Sequence, residues 1–319
     1  MIDRVISHWD DVEYVRRDRG HIGGEWASLT GRNSVTVGVK RIRVDPGKWS
    51  TPAHVEGSEE EIFYVLGGSG ISWQDEKCHA VAAGDFLLHR AGWEAHTLRA
   101  DADGLDVLAF GQRHAVGSAY LPRAGASWLG PSWTRSGSPK DHPWAREEAA
   151  GPPSVGETQP RPSNVVYVDD VESHPPDAQP GQSTVRDVGA ALGSIQTGVK
   201  HVTLAPGDTG APPHAHSAEE EIFVVLAGGG ELELTPAPAA LPDALVGSFP
   251  LREGTTVARP AGTRVAHSFR AGAEGMTLLA YGTRDPNDIA YYPRSNKIYF
   301  RGVGLMARLE PLDYWDGEG

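Results

Sequence analysis

The stretch that decides the fold is PPHAHSAEEEIFVVLAGG at residues 212–229, where two histidines precede three glutamates and an apolar run that ends in glycines. A close copy stands at residues 52–68, PAHVEGSEEEIFYVLGG, in which Glu56 occupies the place of the second histidine. Such a group of side chains either binds a metal ion or forms a solvated turn between two strands. The second copy helps to decide between these interpretations, because it reveals how the whole chain is organised.

The chain is a tandem duplication. GVKRIRVDPG at 38–47 aligns with GVKHVTLAPG at 198–207 at an offset of 160 residues, and the same offset pairs His54 with His214. After a longer loop in the second copy the offset becomes 171, which pairs His96 with His267. A repeat of this length predicts two equivalent structural units.

Each copy also has a lead-in segment, because HWDDVE at 8–13 matches YVDDVE at 167–172. A stretch rich in Pro, Gly and Ser lies between the two copies and is typical of a linker. From these features we predict three parts of the chain: an N-terminal barrel at 1–133, a linker at 134–163 and a C-terminal barrel at 164–319.

Both copies are predicted to be all-β. Short runs such as EIFYVLGG, GDFLLH and LDVLAFG are rich in β-branched and aromatic residues, and turns such as DPG and GGSG separate them at short intervals. Closely spaced strands with glycine-rich turns are typical of a sandwich or barrel.

Composition excludes some classes of partner. The formal net charge of −13 argues against binding to nucleic acid or to an anionic membrane surface, since both would repel an acidic protein. No apolar run approaches the roughly 20 residues of a spanning helix. The single cysteine, Cys78, allows no intrachain disulfide and is consistent with the reducing cytoplasm, which we expect to be the location.

The second copy contains a candidate metal-binding set. His214 and His216 are two residues apart, so on an extended segment both imidazoles point to one face. Glu221 shares the parity of apolar residues on its strand, and a carboxylate among them needs a cation or hydrogen bonds. With His267 the set has three imidazoles and one carboxylate, which suit a divalent transition metal. Fe(II) is the first expectation, and Mn(II), Ni(II), Co(II), Cu(II) and Zn(II) are alternatives.

The order and spacing of these residues resemble the two motifs of the cupin superfamily, and two copies in one chain resemble a bicupin. The matching positions are Gly207, His214, His216, Glu221, Gly228, Gly254, Pro260, Gly262 and His267. The resemblance implies two tandem double-stranded β-helix (jelly-roll) barrels, each with a metal ion held by interior strands. Since runs of glutamate are usually solvated, Glu219 and Glu220 are expected to be surface charges or salt-bridged.

The first copy departs from the pattern. It has His54, Glu61 and His96, but Glu56 replaces the second histidine and Arg90 stands where the motif has proline. Glu56 either completes a harder two-histidine, two-carboxylate set or marks a degenerate site in a structural barrel. A second carboxylate also weakens an ion as a Lewis acid, so we expect the main chemistry in the second barrel.

The resemblance implies several functions. Related cupins include quercetinase-type dioxygenases, manganese oxalate decarboxylases, isomerases, and sensor or storage proteins without turnover. Our first hypothesis is a metal-dependent oxygenase acting on a small chelating organic acid, phenol or enol, with Glu221 assisting proton transfer if it leaves the metal. A non-redox isomerase or decarboxylase, and a binding protein without turnover, are the alternatives. The molecule is expected to be a monomer or homodimer.

Candidate substrate contacts come from equivalent positions in the two copies. Arg41 and His201 precede the two histidine motifs, and by alternation each faces either the barrel interior or its outside. Oxalate decarboxylases need a pocket arginine, for which Arg259 and Arg264 are candidates by their proximity to His267.

Overall fold

The structure is a computed structural model, which describes residues 5–31, 33–130, 132–135, 143–175 and 183–317. Residues 1–4 of the first predicted barrel, residues 318–319 of the second and residues 136–142 of the predicted linker therefore lie outside the described residues. In the first half the elements are β1 (Ile6–His8), β2 (Val15–Arg19), β3 (Ile22–Ser28), β4 (Val37–Val44), β5 (Val55–Glu56), β6 (Glu61–Gln74), β7 (Lys77–Ala82), β8 (Asp85–His89), β9 (His96–Gln112), β10 (Ser118–Leu121), β11 (Ala126–Leu129), β12 (Ser132–Arg135) and the helix α1 (Pro143–Ala150).

The second half repeats this sequence of strands. Its elements are β13 (Val165–Tyr167), a 3-10 turn (Val168–Asp170), β14 (Ser173–His174), β15 (Thr184–Arg186), the helix α2 (Val188–Leu192), β16 (Thr197–Leu204), β17 (Ala215–His216), β18 (Glu221–Pro236), β19 (Gly247–Arg252), β20 (Thr255–Arg259), β21 (Val265–Thr283), β22 (Ile289–Tyr292), β23 (Lys297–Phe300), a second 3-10 turn (Arg301–Val303) and β24 (Leu305–Arg308). No helix in the described ranges has both the length and the apolar character needed to span a membrane.

The strands form two equivalent barrels, as predicted. In the first, the main sheet has the order β13-β8-β6-β9-β4-β3-β2, with β7 paired to β6, and a smaller sheet has the order β12-β11-β10-β5. In the second, the main sheet has the order β1-β20-β18-β21-β16-β15-β14, with β19 paired to β18, and the smaller sheet is β17-β22-β23-β24. The all-β tandem-barrel prediction is confirmed.

The lead-in strands are exchanged between the barrels. β1 comes from the start of the chain but pairs with β20 of the second barrel, where Ile6 lies opposite Val257. β13 follows the linker but pairs with β8 of the first barrel, where Val165 lies opposite Leu87. The sequence assigned each lead-in to its own copy, and the pairing reverses that assignment. The domain boundaries themselves stay a prediction.

Alternation along the strands produces an apolar core inside each barrel and a further core shared by both. On β18, Phe223 and Val225 face the interior of their barrel, while Ile222 and Val224 belong to a core shared by both barrels. The first barrel repeats this arrangement, with Phe63 inside and Ile62 in the shared core. Because both faces are buried, the strands are apolar almost continuously. Glu221 has the parity of the interior residues, so its carboxylate faces into the barrel, as the pattern predicts.

The middle glutamate of each EEE triplet lies between the barrels, and the expectation that Glu220 is a surface charge or salt-bridged is wrong. Glu220 is 1% exposed and accepts hydrogen bonds from Ser34, from the backbone amides of Val35 and Thr36, and from the Thr36 hydroxyl. Glu60, at 2% exposure, accepts the equivalent bonds from the loop Ser194–Thr197 of the second barrel. A buried carboxylate needs such a set of donors to offset its lost hydration.

Candidate metal centres

In the second barrel the predicted residues converge from three strands and one loop. His216 lies on β17, Glu221 begins β18, and His267 lies on β21, where its backbone bridges to that of His214. The His214 Nδ1–H donates a hydrogen bond to the carbonyl of Pro212, 2.7 Å away. That bond holds the ring so that Nε2 is left free for the barrel interior.

The free ring nitrogens of this set surround one carboxylate oxygen. Oε2 of Glu221 lies 3.0 Å from Nε2 of His267, 3.3 Å from Nε2 of His216 and 3.9 Å from Nε2 of His214. The Nε2 atoms of His216 and His267 and Oε2 of Glu221 are buried, and they have no hydrogen-bond partner among the described residues. Buried polar atoms normally have partners. Ligand atoms of His214, Glu221 and His267 lie within 4.8 Å of one another, and buried atoms without partners in such a group fit a divalent metal ion.

A residue that the sequence analysis missed orients His216. Asp288, in the loop between β21 and β22, accepts a 2.6 Å hydrogen bond from Nδ1 of His216. The backbone amides of Ala218 and Glu219 hold the Asp288 carboxylate in place at 2.9 and 3.0 Å. A carboxylate on the far nitrogen of an imidazole fixes its tautomer and raises its basicity as a ligand. The available signal was the alignment of the trailing segments, which places Asp288 opposite Gly117 at the offset of 171.

The charges of this cluster shift the ionisation of its members. Burial alone would lower the pKa of His216, but the hydrogen bond to Asp288 and the contact with Glu221 raise it to about 10. Burial lowers the pKa of His267 to about 3. Burial works against ionisation of Glu221, yet the contacts with His216 and His267 hold its pKa well below the usual range. The glutamate is therefore ionised, as a metal ligand must be.

The first barrel brings its four predicted residues together in the same way. Oε2 of Glu61 lies 3.1 Å from Nε2 of His96 and 3.6 Å from Nε2 of His54. Nε2 of His54 is also 3.5 Å from a carboxylate oxygen of Glu56. The His54 Nδ1–H donates to the carbonyl of Pro52 at 2.9 Å, which repeats the arrangement of His214.

The first site has an excess of carboxylates. Burial and the negative charge of Glu61 raise the pKa of Glu56 to about 7 and that of Glu59 to about 9. Like charges held close together cannot all ionise, so this group retains protons at neutral pH. In the second barrel the residue equivalent to Glu59 is Glu219, which is salt-bridged to Arg301 at 2.9 Å. Glu219 was expected to be a surface charge or salt-bridged, and the structure shows the salt bridge.

The position opposite the metal glutamate also differs. In the first barrel His89 lies opposite Glu61 and stacks on His96 with ring centroids 3.8 Å apart. In the second barrel Arg259 lies opposite Glu221, and its guanidinium donates to the carbonyl of Val265 at 2.5 Å. Arg259 thus supports the wall behind the site.

A cavity of about 270 Å³ reaches Glu221 in the second barrel. Its wall carries three cationic side chains, Lys200, Arg284 and Arg301, against three carboxylates, Asp187, Glu219 and Glu221. A divalent ion would leave this wall with a net positive charge. Arg259 and Arg264 are outside the set of described residues that form the wall.

The equivalent cavity of the first barrel measures about 250 Å³ and extends deeper. It includes all four candidate ligands and apolar side chains from below them, among them Trp26, Ile42, Phe63 and Leu98. In the second barrel Phe269 stands at the position of Leu98 and packs on Phe223, which fills the corresponding space. The ionisable side chains of the first wall are Lys40 and Arg113 against Glu56, Glu59 and Glu61, one carboxylate in excess.

The structure places Arg41 and His201 on the outer face of their strands. Arg41 pairs with Asp106 at 2.7 Å and its guanidinium lies over the ring of Trp9. His201 lies opposite Arg186 on the neighbouring strand. The cavity walls instead receive the preceding residues, Lys40 and Lys200. Their parity with the inward-facing Ile42 and Val202 was the signal that could have identified them.

Comparison with known proteins agrees with this architecture. The Cupin domain family matches residues 40–110 and 200–280, one match in each barrel. No curated protein matches the sequence.

Solved structures of similar fold include oxalate decarboxylases. The formate complex of the Lactobacillus farciminis enzyme has a TM-score of 0.59 and 16% identity, over 89% of this chain and 88% of that one. A Bacillus subtilis oxalate decarboxylase studied for its Mn(II) centres has a TM-score of 0.57 and 16% identity, over 87% and 76%. At such identity the likeness establishes the fold. With a cupin match in each half and two equivalent barrels, the chain belongs to the cupin superfamily as a bicupin.

Proposed function

We propose that this bicupin is a metal-dependent enzyme that removes carbon dioxide from a small carboxylic acid, and that the reaction takes place in the second barrel. The observation that carries the proposal is the cavity of about 270 Å³ that reaches Glu221 and has Lys200, Arg284 and Arg301 in its wall. A space of this size suits a molecule of few heavy atoms, and cationic side chains beside a metal ion suit an anionic one.

The ion would be held by His214, His216, Glu221 and His267. Buried atoms of His216, Glu221 and His267 without a hydrogen-bond partner support this assignment, and His214, Glu221 and His267 offer ligand atoms within 4.8 Å of one another. When bound, a divalent ion polarises a substrate oxygen and stabilises developing negative charge. One carboxylate ligand offsets half of the ion's charge, whereas Glu56 and Glu61 together would cancel it. The second barrel is therefore the more attractive site for an anionic substrate.

The other residues of the wall have distinct roles in this proposal. Lys200 orients a substrate carboxylate from the rim, where its side chain is exposed. The bond to the departing carboxylate breaks, carbon dioxide leaves, and the electron pair stays on carbon, which then takes up a proton. Glu219 lines the cavity, and burial raises its pKa to about 7, so we assign the delivery of that proton to Glu219. The sequence analysis predicted that Glu221 assists proton transfer after leaving the metal; an ionised Glu221 could accept a proton there, but it holds none to donate.

The reaction class comes from the structural neighbours, which are oxalate decarboxylases. They favour the decarboxylase alternative over the oxygenase that the sequence analysis preferred. They also suggest Mn(II) as the first ion to test, since one neighbour is described by its Mn(II) centres. Oxalate and related short acids are the corresponding first substrates.

The test uses metal-free protein reloaded separately with Mn(II) and Fe(II), incubated with oxalate and other short mono- and dicarboxylic acids. We expect carbon dioxide release without stoichiometric oxygen uptake, because decarboxylation with protonation is redox-neutral. Glu219→Gln should reduce turnover by about 100-fold or more, the usual contribution of a positioned acid. The matched change in the first barrel, Glu59→Gln, should have a much smaller effect. Tight acid binding without carbon dioxide release would instead indicate a binding protein.

An oxygenase is the second candidate function, and one observation supports it. The cavity of the first barrel is lined by apolar and aromatic side chains below its polar residues, which suits a phenol or enol better than an acid. Oxygen consumption by Fe(II)-loaded protein in the presence of a phenol or enol, abolished by His96→Ala, would favour this candidate.

A further inference from the structure

The two candidate metal sites differ at two coupled positions. Strand pairing sets Ala119 opposite Glu56 in the first barrel and Ala290 opposite His216 in the second, so the two trailing segments are in equivalent register. Two residues before these alanines stand Gly117 and Asp288. The histidine ligand thus has an aspartate beside it, and the glutamate has a glycine.

The rest of each set is the same. His54 and His214 both donate to the carbonyl of the proline two residues earlier. The glutamate on the central strand and the histidine on the long strand that follows are also retained, as Glu61 with His96 and Glu221 with His267. Within the donor sets, the two sites therefore differ at position 56 against 216, with position 117 against 288 behind them.

The coupling has a physical reason. An imidazole ligand has a second ring N–H that needs an acceptor, and Asp288 provides one at 2.6 Å from Nδ1 of His216. A carboxylate ligand has no such N–H. An aspartate at 117 would only add negative charge to a group that already contains Glu56, Glu59 and Glu61.

The glycine is not required by the backbone. Gly117 lies outside the positive-φ conformations, and a Cβ added there would meet no described atom within 4 Å. An aspartate would therefore fit sterically. Its absence is explained by charge and not by space.

We propose that the two barrels differ in their relative preference for divalent ions. The first favours an ion that prefers carboxylate oxygen, such as Mn(II), more than the second does, and the second favours an ion that prefers imidazole, such as Zn(II), more than the first does. The residue pairs Glu56/Gly117 and His216/Asp288 set this difference. Carboxylate and water ligands suit Mn(II), whereas imidazoles suit Zn(II), Ni(II) and Cu(II). The inference rests on the metal binding in the proposed function but is independent of the reaction.

The experiment measures each site alone. The first site is isolated by the substitutions His214→Ala and His267→Ala, and the second by His54→Ala and His96→Ala. Dissociation constants of Mn(II) and Zn(II) are determined in metal-free protein by competition with chelators of known affinity, and the electron paramagnetic resonance of Mn(II) provides a separate signal. Most sites bind Zn(II) more tightly than Mn(II), so the informative quantity is the ratio of the two constants.

We expect the preference for Zn(II) over Mn(II) to be about tenfold or more greater at the second site than at the first. The double substitution Glu56→His with Gly117→Asp should raise the ratio of the Mn(II) to the Zn(II) dissociation constant at the first site towards that of the second. The reverse pair, His216→Glu with Asp288→Gly, should lower it at the second site. Gly117→Ala is the matched control and should leave the ratio unchanged, and circular dichroism checks that each variant is folded.

Equal ratios at the two sites, or ratios unaffected by the exchange in folded protein, would overturn the inference. If His216→Glu with Asp288→Gly fails to fold, the exchange in the first barrel decides alone. Failure of both ions to bind at either site would remove this inference and the metal-dependent function together. Distinct ratios in a protein that releases no carbon dioxide would remove the proposed reaction and leave this inference standing.

Discussion

The two barrels share a fold and three of four donor groups, yet they differ in the charge they present to a ligand. The predicted donor set of the second site has one carboxylate and three imidazoles, and the wall of the cavity that reaches Glu221 has equal numbers of cationic and acidic side chains. The first has two carboxylates in the donor set and a third, Glu59, beside them. After duplication, the architecture of the sites was retained while their electrostatics diverged.

The contact between the barrels has not diverged in this way. Glu60 and Glu220 occupy equivalent positions, and each accepts hydrogen bonds from the equivalent loop of the other barrel. A change in one loop would leave a buried carboxylate without donors, which is costly. The two candidate metal sites face open cavities and do not contact each other, so a substitution at one site leaves no unpaired group at the other.

The largest effect should follow from separating the barrels. Fragments 1–133 and 164–319 each lack the strand that the other supplies, and each would expose its side of the shared core, including Ile62 or Ile222. Each large side chain exposed would cost about 1.5–3 kcal/mol. We expect that neither fragment folds into a cooperatively unfolding domain on its own, and that the two fragments form a folded complex when they are co-expressed. Circular dichroism measures the folding, and size-exclusion chromatography detects the complex. A cooperative, monomeric fragment would show that the exchanged strands are dispensable.

The next effect distinguishes the two sites. His216→Ala removes a ligand from the proposed catalytic centre and should lower carbon dioxide release by about 100-fold or more, with loss of metal from the second barrel. Glu56→Ala should remove metal from the first barrel and change turnover at most several-fold. Turnover assays combined with metal analysis of each purified variant test this. The reverse pattern would place the chemistry in the first barrel.

Much of this arrangement was predictable because it depends on periodicity. The repeat revealed two barrels, and the parity of Glu221 with Phe223 and Val225 showed that its carboxylate faces inward. The roles of Glu60 and Glu220 were not predictable, since their partners lie more than 130 residues away and EEE alone also describes a solvated turn. Asp288 was missed for the same reason, because its contact with His216 spans 72 residues.

The symmetric interface predicts equal losses of stability. Glu220→Gln and Glu60→Gln each replace a buried acceptor that holds several donors with an amide that accepts fewer and adds its own donors. We expect each to lower the free energy of unfolding by about 2–4 kcal/mol, measured by urea denaturation. Glu253→Gln, at an exposed position, is the control and should have little effect. Unequal losses at 60 and 220 would show that one barrel depends less on the contact than the other.

The smallest expected effect concerns His216 and Asp288, the pair that distinguishes the second site from the first, and it is measured in metal-free protein. The pKa of His216 is raised from 6.5 to about 10, so its contribution to stability is complete below pH 6.5 and is lost as pH rises through 10. The pKa of Asp288 is lowered from 3.8 to about 2, so its contribution is present above pH 3.8 and is lost as pH falls through 2. Asp288→Asn should therefore lower the free energy of unfolding by about 1–2 kcal/mol near pH 6 and by less above pH 10. Urea denaturation across this pH range, with the exposed Asp170→Asn as control, measures the difference. A loss that stays constant with pH would mean that Asp288 acts through its backbone contacts at Ala218 and Glu219 and not through the charge of His216.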